Sequence, residues 1–244
     1  MQTDYFNLLA KFNHAYLHPG GLAATETLLS WVNWQASPKI LEVACGVGRT
    51  SLMAAKRGAA AVIGIDESAG MIASAKENLK RQNIQNVNFT VLQAEANAQP
   101  DKDYDVVICE GATAFFSNRK KGISEIKRVL KPGGIFLTTE FYYKERPPEA
   151  LIQKMSDLMG KKFEPYSLDD WLALYGETGF TIGEIISTPR NKPWSRFFRE
   201  WRENMHFFLF SKWHPDRPKL NEYFSAFREN AKYLAACSYK LIRS

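Results

Sequence analysis

The chain has 244 residues, enough for one large α/β domain with an insertion or a small cap. At 45% hydrophobic and 24% charged residues it reads as an ordinary globular protein, and its apolar stretches are strand-sized, so no transmembrane helix is expected. The net charge of +6 is concentrated: residues 185–244 carry 12 Lys/Arg against 5 Asp/Glu, while the rest of the chain is nearly balanced. The start, Met-Gln-Thr-Asp-Tyr, lacks the basic and apolar regions of a signal peptide. Cys45, Cys109 and Cys237 lie far apart inside apolar runs, which suits buried thiols in a reducing cytoplasm better than a disulfide framework. The four histidines show no metal-ligand spacing with cysteine, so no metal is expected.

In chain order, residues 1–37 read as an N-terminal helical segment interrupted by His18-Pro19-Gly20-Gly21, with Leu28, Leu29 and Trp31 on one side of a helix over 23–34. A strand over 39–44 then runs into Ala44-Cys45-Gly46-Val47-Gly48 and a helix over 49–56. A second strand, 61–66, ends in Asp66, twenty residues after Gly46. Strand, glycine-bearing turn, helix, then a strand ending in an acid is the layout of a nucleotide-cofactor site. Glycine lets the backbone turn tightly and approach a ligand, and the acid accepts hydrogen bonds from ribose hydroxyls.

A helix over 69–81 has Ile72, Ala75 and Leu79 on its apolar face. Strands over 87–93 and 104–110 follow, then a helix over 118–130 stopped by Lys131-Pro132-Gly133-Gly134, and strands over 134–140 and 180–188. Alternating strands and helices imply a mostly parallel sheet covered on both faces. About 45 residues then precede a last strand over 237–243. Their pattern is helical: Trp194, Phe198, Trp201 and Met205 share one face, with Arg196, Arg199 and Arg202 opposite, and a second run includes Tyr223, Phe224 and Phe227.

Glu42-x-Ala44-Cys45-Gly46-x-Gly48, together with Arg-Val-Leu-Lys-Pro-Gly-Gly before an apolar strand, resembles the class I, Rossmann-like S-adenosylmethionine-dependent methyltransferases, in their small-molecule branch. The position three after Gly48 is Ser51, where a dinucleotide fingerprint has its third glycine. The family usually has a glycine where this chain has Ala44, a change tolerated if the backbone angles there stay ordinary. The resemblance covers roughly residues 38–188 plus the last strand. It implies an α/β sheet, mostly parallel with an antiparallel last strand, and a helical cap. The domains expected are the N-terminal cap segment 1–37, the cofactor-binding domain 38–188, a helical insert 189–236 capping the active site, and the final strand 237–244.

The resemblance also implies site residues. The turn Ala44, Cys45, Gly46 and Gly48 meets the cofactor, Asp66 and Glu67 its ribose, Met71 and Ala94-Glu95-Ala96 its adenine. Glu42, Glu110 and Gly111 lie by the methionine part, where carboxylates suit a cationic ligand. Methyl transfer from a sulfonium needs alignment more than acid–base chemistry, so a base is required only if the acceptor must lose a proton; Glu110, His18 and Tyr16 are the candidates. Thr113, Phe115, Phe116, Phe141, Tyr142, Trp194 and Phe198 are expected to meet the substrate, because aromatic and apolar surface after the fourth and fifth strands suits an organic acceptor. The sequence lacks the Asn/Asp-Pro-Pro-Tyr/Phe motif of nucleobase and glutamine amino-methyltransferases and the cysteine pair used on pyrimidine carbons. The basic insert is read as a lid over a small substrate. The other readings are peripheral contact with anionic lipid and contact with nucleic acid, the last disfavoured because no binding motif accompanies the charge. The expected activity is methyl transfer to a small organic acceptor, with a lipid or quinone-like acceptor, or cofactor binding without turnover, as the alternatives.

Overall fold

The computed structural model describes residues 18–160, 162–187, 215 and 217–244. Tyr16, Trp194, Phe198 and the helix read over 194–208 lie outside the described residues.

Seven strands form one sheet in the order β3-β2-β1-β4-β5-β7-β6. They are β1 (Lys39–Val43), β2 (Ala61–Asp66), β3 (Val87–Val91), β4 (Tyr104–Glu110), β5 (Leu130–Tyr143), β6 (Phe180–Ser187) and β7 (Leu234–Arg243). Strands β1 to β5 pair in parallel, and β7 runs antiparallel between β5 and β6. This is the Rossmann-like methyltransferase sheet that the sequence motifs imply. The helices are α1 (Gly21–Ser30), α2 (Arg49–Lys56), α3 (Ala69–Lys80), α4 (Arg119–Val129), α5 (Glu149–Met159), α6 (Leu168–Glu177) and α7 (Arg217–Asn230).

The central strands are apolar throughout because both of their faces are covered. Their side chains alternate between two cores. Leu41, Val43, Val107 and Cys109 face one core with Ile123 and Ile126 of α4 and Trp171 and Tyr175 of α6. Ile40, Val106 and Ile108 face the other with Leu28, Leu29, Leu52 and Ile72 from α1, α2 and α3. Phe89 ties that second core to the cofactor turn. A side-chain carbon added at Gly48 or Gly64 would collide with its ring, so both glycines are needed for close packing.

The structure refines the sequence reading in three places. The Lys131–Gly134 turn lies within β5: the register jumps from Tyr104↔Leu130 to Val106↔Ile135, so the extra residues bulge out of the ladder. β7 begins at Leu234 rather than 237, because β5 runs on to Tyr143 and offers three more pairing positions. Helices α5 and α6 went unread in the sequence, although Ser167-x-x-Asp170 is a capping box that starts α6. Helices α5 and α7 pack together through Leu151, Met155 and Ala226.

Cys45, Cys109 and Cys237 are free and buried. Among the described residues no helix is long and apolar enough to cross a membrane.

Phe89→Ala is expected to cost about 3–5 kcal/mol, because the cavity left between Gly48 and Gly64 has no side chain to fill it. Gly64→Ala is expected to cost about 1–3 kcal/mol by overpacking the same ring. Urea denaturation measures both.

Candidate functional site

The strand order reverses between β1 and β4, which splays the loops after these strands apart and opens a crevice at their C-terminal ends. A cavity of about 500 Å³ lies there.

One end of the cavity is built by the first turn. Cys45 N–H donates to Ile65 O (2.9 Å) and Gly48 N–H to Cys45 O (2.9 Å), folding residues 45–48 back on β1. Gly46 (φ 52°) and Gly48 (φ 78°) take left-handed backbone, and so does Ala44 (φ 56°). The condition under which alanine reads as tolerated here, ordinary backbone angles, is not met, because the turn leaves β1 through that residue and imposes the conformation glycine favours. Asp66 locks the turn to β2: Gly46 N–H donates to Oδ2 (2.9 Å) and Ser68 N–H to Oδ1 (2.9 Å).

The first turn of α2 supplies two hydroxyls to two carboxylates. Ser51 donates to Glu42 Oε2, and Thr50 donates to Glu110 Oε2 at 2.6 Å. Thr25 of α1 donates to Glu110 Oε1 at 2.8 Å, and His18 Nε2 lies 3.5 Å from the same oxygen. Burial, and after it the neighbouring Glu110, pushes the Glu42 carboxyl up to about 8, with the Ser51 bond opposing them. His18 and Pro19 pack directly against Gly111 (φ 67°), where a side chain would collide with both.

The other end is aromatic. Phe115, Phe141, Tyr143, Phe163, Tyr166 and Trp171 line it. Met155 of α5 and Phe224 and Phe227 of α7 lie on its cap side. Glu140 of β5 is fully buried on this wall. Thr113 and Thr138 donate to its Oε1, Thr138 at 2.6 Å, while Oε2 has no partner. Burial raises this carboxyl to about 7, against the two hydroxyl bonds and the Arg119 charge.

Of the residues expected from sequence, the cavity gathers His18, Glu42, Ala44, Cys45, Gly46, Asp66, Met71, Glu110, Gly111, Phe115 and Phe141. Others lie off its wall. Gly48 caps α2, Glu67 is exposed, and Glu95, between Ala94 and Ala96 in a short 3₁₀ turn, accepts from Asn118 N–H (3.2 Å) at the start of α4. Thr113 serves Glu140 from behind the wall. Phe116 packs against Gly122, and Tyr142 against the α4–α6 core.

Residues 35–200 match the family described as a methyltransferase domain. The chain belongs to this family. It is an S-adenosylmethionine-dependent methyltransferase in class, as its first-turn motif implies. It is 30% identical to an uncharacterized protein of Haemophilus influenzae over 74% of this chain and 73% of that one. It is 28% identical to the uncharacterized methyltransferase YcgJ of Bacillus subtilis, over 62% of this chain and 60% of that one. Among solved structures, the MccD protein superposes with a TM-score of 0.74 at 18% identity, over 94% of this chain and all of that one. The cyclase SpnF gives 0.74 at 19% identity, over 98% and 93%. Phosphoethanolamine N-methyltransferase 2 of Haemonchus contortus, in complex with S-adenosylmethionine, gives 0.74 at 18%, over 99% of this chain and 58% of that one. These likenesses are of fold.

Sequence reasoning on this methyltransferase missed Thr25, Thr50, Glu140, Tyr166 and Trp171. A glutamate closing the apolar run Ile135–Thr139 was the one visible signal for Glu140. The others come from helices whose packing the sequence does not reveal.

Stability of the cofactor-free methyltransferase is expected to fall as pH rises from about 4.5 to about 8. Glu42 titrates higher folded than at its ordinary value of 4.5, so in that window the folded chain holds a proton that the unfolded chain releases. Glu42→Gln is then expected to exceed wild type by about 1–3 kcal/mol at pH 9, with the gap closing at pH 4. Urea melts across pH measure it, and a gap independent of pH would contradict the assignment.

Proposed function

We propose that this methyltransferase carries a methyl group from S-adenosylmethionine to a small organic acceptor held at the aromatic end of the cavity. The observation that carries the reading is the continuity of one cavity from Asp66 and Gly46 to Phe141 and Trp171. Cofactor and acceptor then meet without crossing solvent.

The residues present fit the cofactor. A side-chain carbon at Gly46 would meet nothing within 4 Å, so the turn leaves room at its surface. Asp66, held at the cavity wall by two backbone N–H groups, is the acceptor placed for ribose hydroxyls. Met71, in the first turn of α3, offers an apolar surface to adenine. Glu42 and Glu110 present carboxylate oxygens toward the methionine ammonium, and Arg49 is the cation on this wall for its carboxylate. When bound, the cofactor supplies an electrophilic methyl group on a sulfonium. The protein's part is to align the acceptor and exclude water. His18 and Pro19, packed on Gly111, close one side. Phe224 and Phe227 of α7 close another.

A quinone-like or lipid acceptor is the second reading. The aromatic wall favours it, and a ubiquinone/menaquinone C-methyltransferase of Hydrogenovibrio crunogenus is 31% identical over 53% of this chain and 48% of that one. Cofactor binding without methyl transfer is the third. It is favoured by the shared fold of a cyclase, and formation of S-adenosylhomocysteine on adding a metabolite extract separates it from the first two.

S-adenosylmethionine and S-adenosylhomocysteine are expected to raise the melting temperature and NAD to leave it unchanged, because only a ligand of the native state shifts unfolding. Asp66→Ala is expected to weaken S-adenosylhomocysteine binding by about 1–3 kcal/mol. Calorimetry on the folded variant checks this, and an unchanged affinity removes Asp66 from the site.

A further inference from the structure

Two carboxylates of the cavity wall, Glu110 and Glu140, face opposite sides of the sheet. Glu110 pairs in register with Thr139, so both point toward α1 and α2. Glu140 points the other way with Thr138 and Cys109, toward α4 and α6. Each oxygen of Glu110 accepts a hydroxyl bond, Oε1 from Thr25 and Oε2 from Thr50, with His18 Nε2 at 3.5 Å. Glu140 differs: its Oε2 is buried at the cavity wall without a partner.

We propose that the acceptor is an organic amine, bound as its ammonium ion, with Glu140 as its counter-ion and the receiver of its proton. The proposal rests on the methyl-transfer reading above and names the substrate class. Three observations support it. The first is the unmet carboxylate oxygen: a buried, unsatisfied charged acceptor costs at least about 1–3 kcal/mol, which an N–H⁺ donor offsets. The groups around Glu140 do not meet this demand. Arg119 of α4 spends Nη2 on the carbonyls of Ala114 (3.2 Å) and Glu164 (3.0 Å), stacks on Tyr166 at 4.0 Å and leaves Nη1 without a partner; its charge favours the Glu140 carboxylate, but no ion pair joins the two. The hydroxyls of Tyr175 of α6 and Tyr239 of β7 have no partner, and the Cys109 thiol of β4 is buried. The second observation is charge. Toward pH 8.5, where Glu42 and Glu140 ionise, they join Asp66 and Glu110 on a cavity wall that carries Arg49, with Arg119 behind it, an excess of carboxylate that attracts cations and repels anionic acceptors. The third is the aromatic wall of Phe141, Tyr143 and Phe163, whose faces attract an ammonium, while Arg119 already lies over Tyr166 and Trp171. A neutral hydroxyl can donate to Oε2 but brings no charge to pair with the carboxylate or to meet the rings, and charge-assisted bonds are the stronger ones.

The proton balance follows. Bound ammonium gives one N–H proton to Glu140, whose burial makes it basic enough near neutral pH. The freed nitrogen lone pair forms the N–C bond as the S–C bond breaks, with that electron pair staying on sulfur. The positive charge passes to the product ammonium, and Glu140 loses its proton to solvent as the product leaves.

The test compares 2-phenylethylamine with 2-phenylethanol, probes of nearly the same shape, by calorimetry on the full chain saturated with S-adenosylhomocysteine. At pH 8.5 the amine is expected to bind at least tenfold more tightly. Glu140→Gln should cut that preference below threefold while keeping wild-type affinity for S-adenosylhomocysteine, which also reports that the variant is folded. Thr113→Val, which keeps the carboxylate, should keep the preference. In wild type the preference should shrink at least fivefold by pH 5.5 as Glu140 takes up a proton; Glu42, which also takes up a proton over this range, and His18 lie across the sheet beside Glu110, and Glu140→Gln removes only the Glu140 part. Equal binding of the two probes, binding of neither, or an amine preference that survives Glu140→Gln or ignores pH overturns the amine assignment and leaves the methyltransferase reading standing. Failure of wild type to bind S-adenosylhomocysteine overturns both.

Discussion

Carboxylates held near the C-terminal ends of buried strands are the constraint on which this structure turns. Glu42 and Glu110 sit where β1 and β4 run out, Glu140 lies beside them in β5 before its last residues Phe141–Tyr143, and each is nearly or wholly shielded from water. An ionised carboxylate in such a place is tolerated only with hydrogen-bond donors supplied by its surroundings. The donors come from other elements: Thr25 from α1, Thr50 and Ser51 from α2, Thr113 from the turn after β4, Thr138 from β5 itself. Placing the acids therefore also fixes the depth and rotation of α1 and α2 against the sheet. Hydrogen bonds to charged groups contribute about 1.5–3 kcal/mol each, so misplacing either helix loses more than packing area.

The parallel sheet then divides the cavity chemically. Side chains alternate along a strand, so consecutive positions at the strand ends serve opposite faces. Glu42 and Glu110 fall on the α1–α2 face beside the glycine turn, and Glu140 falls on the α4–α6 face among aromatic rings. A polar end and an aromatic end joined at the strand tips suit two ligands that must touch. The length of β5 matters here as well. By running on to Tyr143 it pairs with β7 along nine positions and carries Phe141 and Tyr143 beneath the α5–α7 cap. Tyr143 then binds Asn230 of α7 (3.0 Å), which ties cap to sheet.

Sequence by itself determined the parts whose cause is local. Buried parallel strands must be apolar on both faces, so β1, β2 and β4 stand out as runs, and a glycine turn between strand and helix followed by Asp66 has few other uses. The sequence could also have located α6 through its capping box. Tertiary structure decided what depends on residues distant in the chain. Glu140 looks like any strand residue until Thr113 and Thr138 occupy one of its oxygens and leave the other bare. Thr25 and Thr50 are unremarkable helix residues until Glu110 arrives from 85 and 60 positions away. Ala44 is left-handed because the backbone must bend from β1 into the turn that Asp66 holds from β2, a demand no propensity of alanine announces. Glu95 and Phe116 followed their motifs in spacing, but α4 claimed both, the one at its N-terminus and the other against Gly122. Local chemistry writes strands, turns and caps into neighbouring residues. Which carboxylate is satisfied and which is left facing a cavity is settled only when separate elements meet, because a hydrogen bond needs both partners in place.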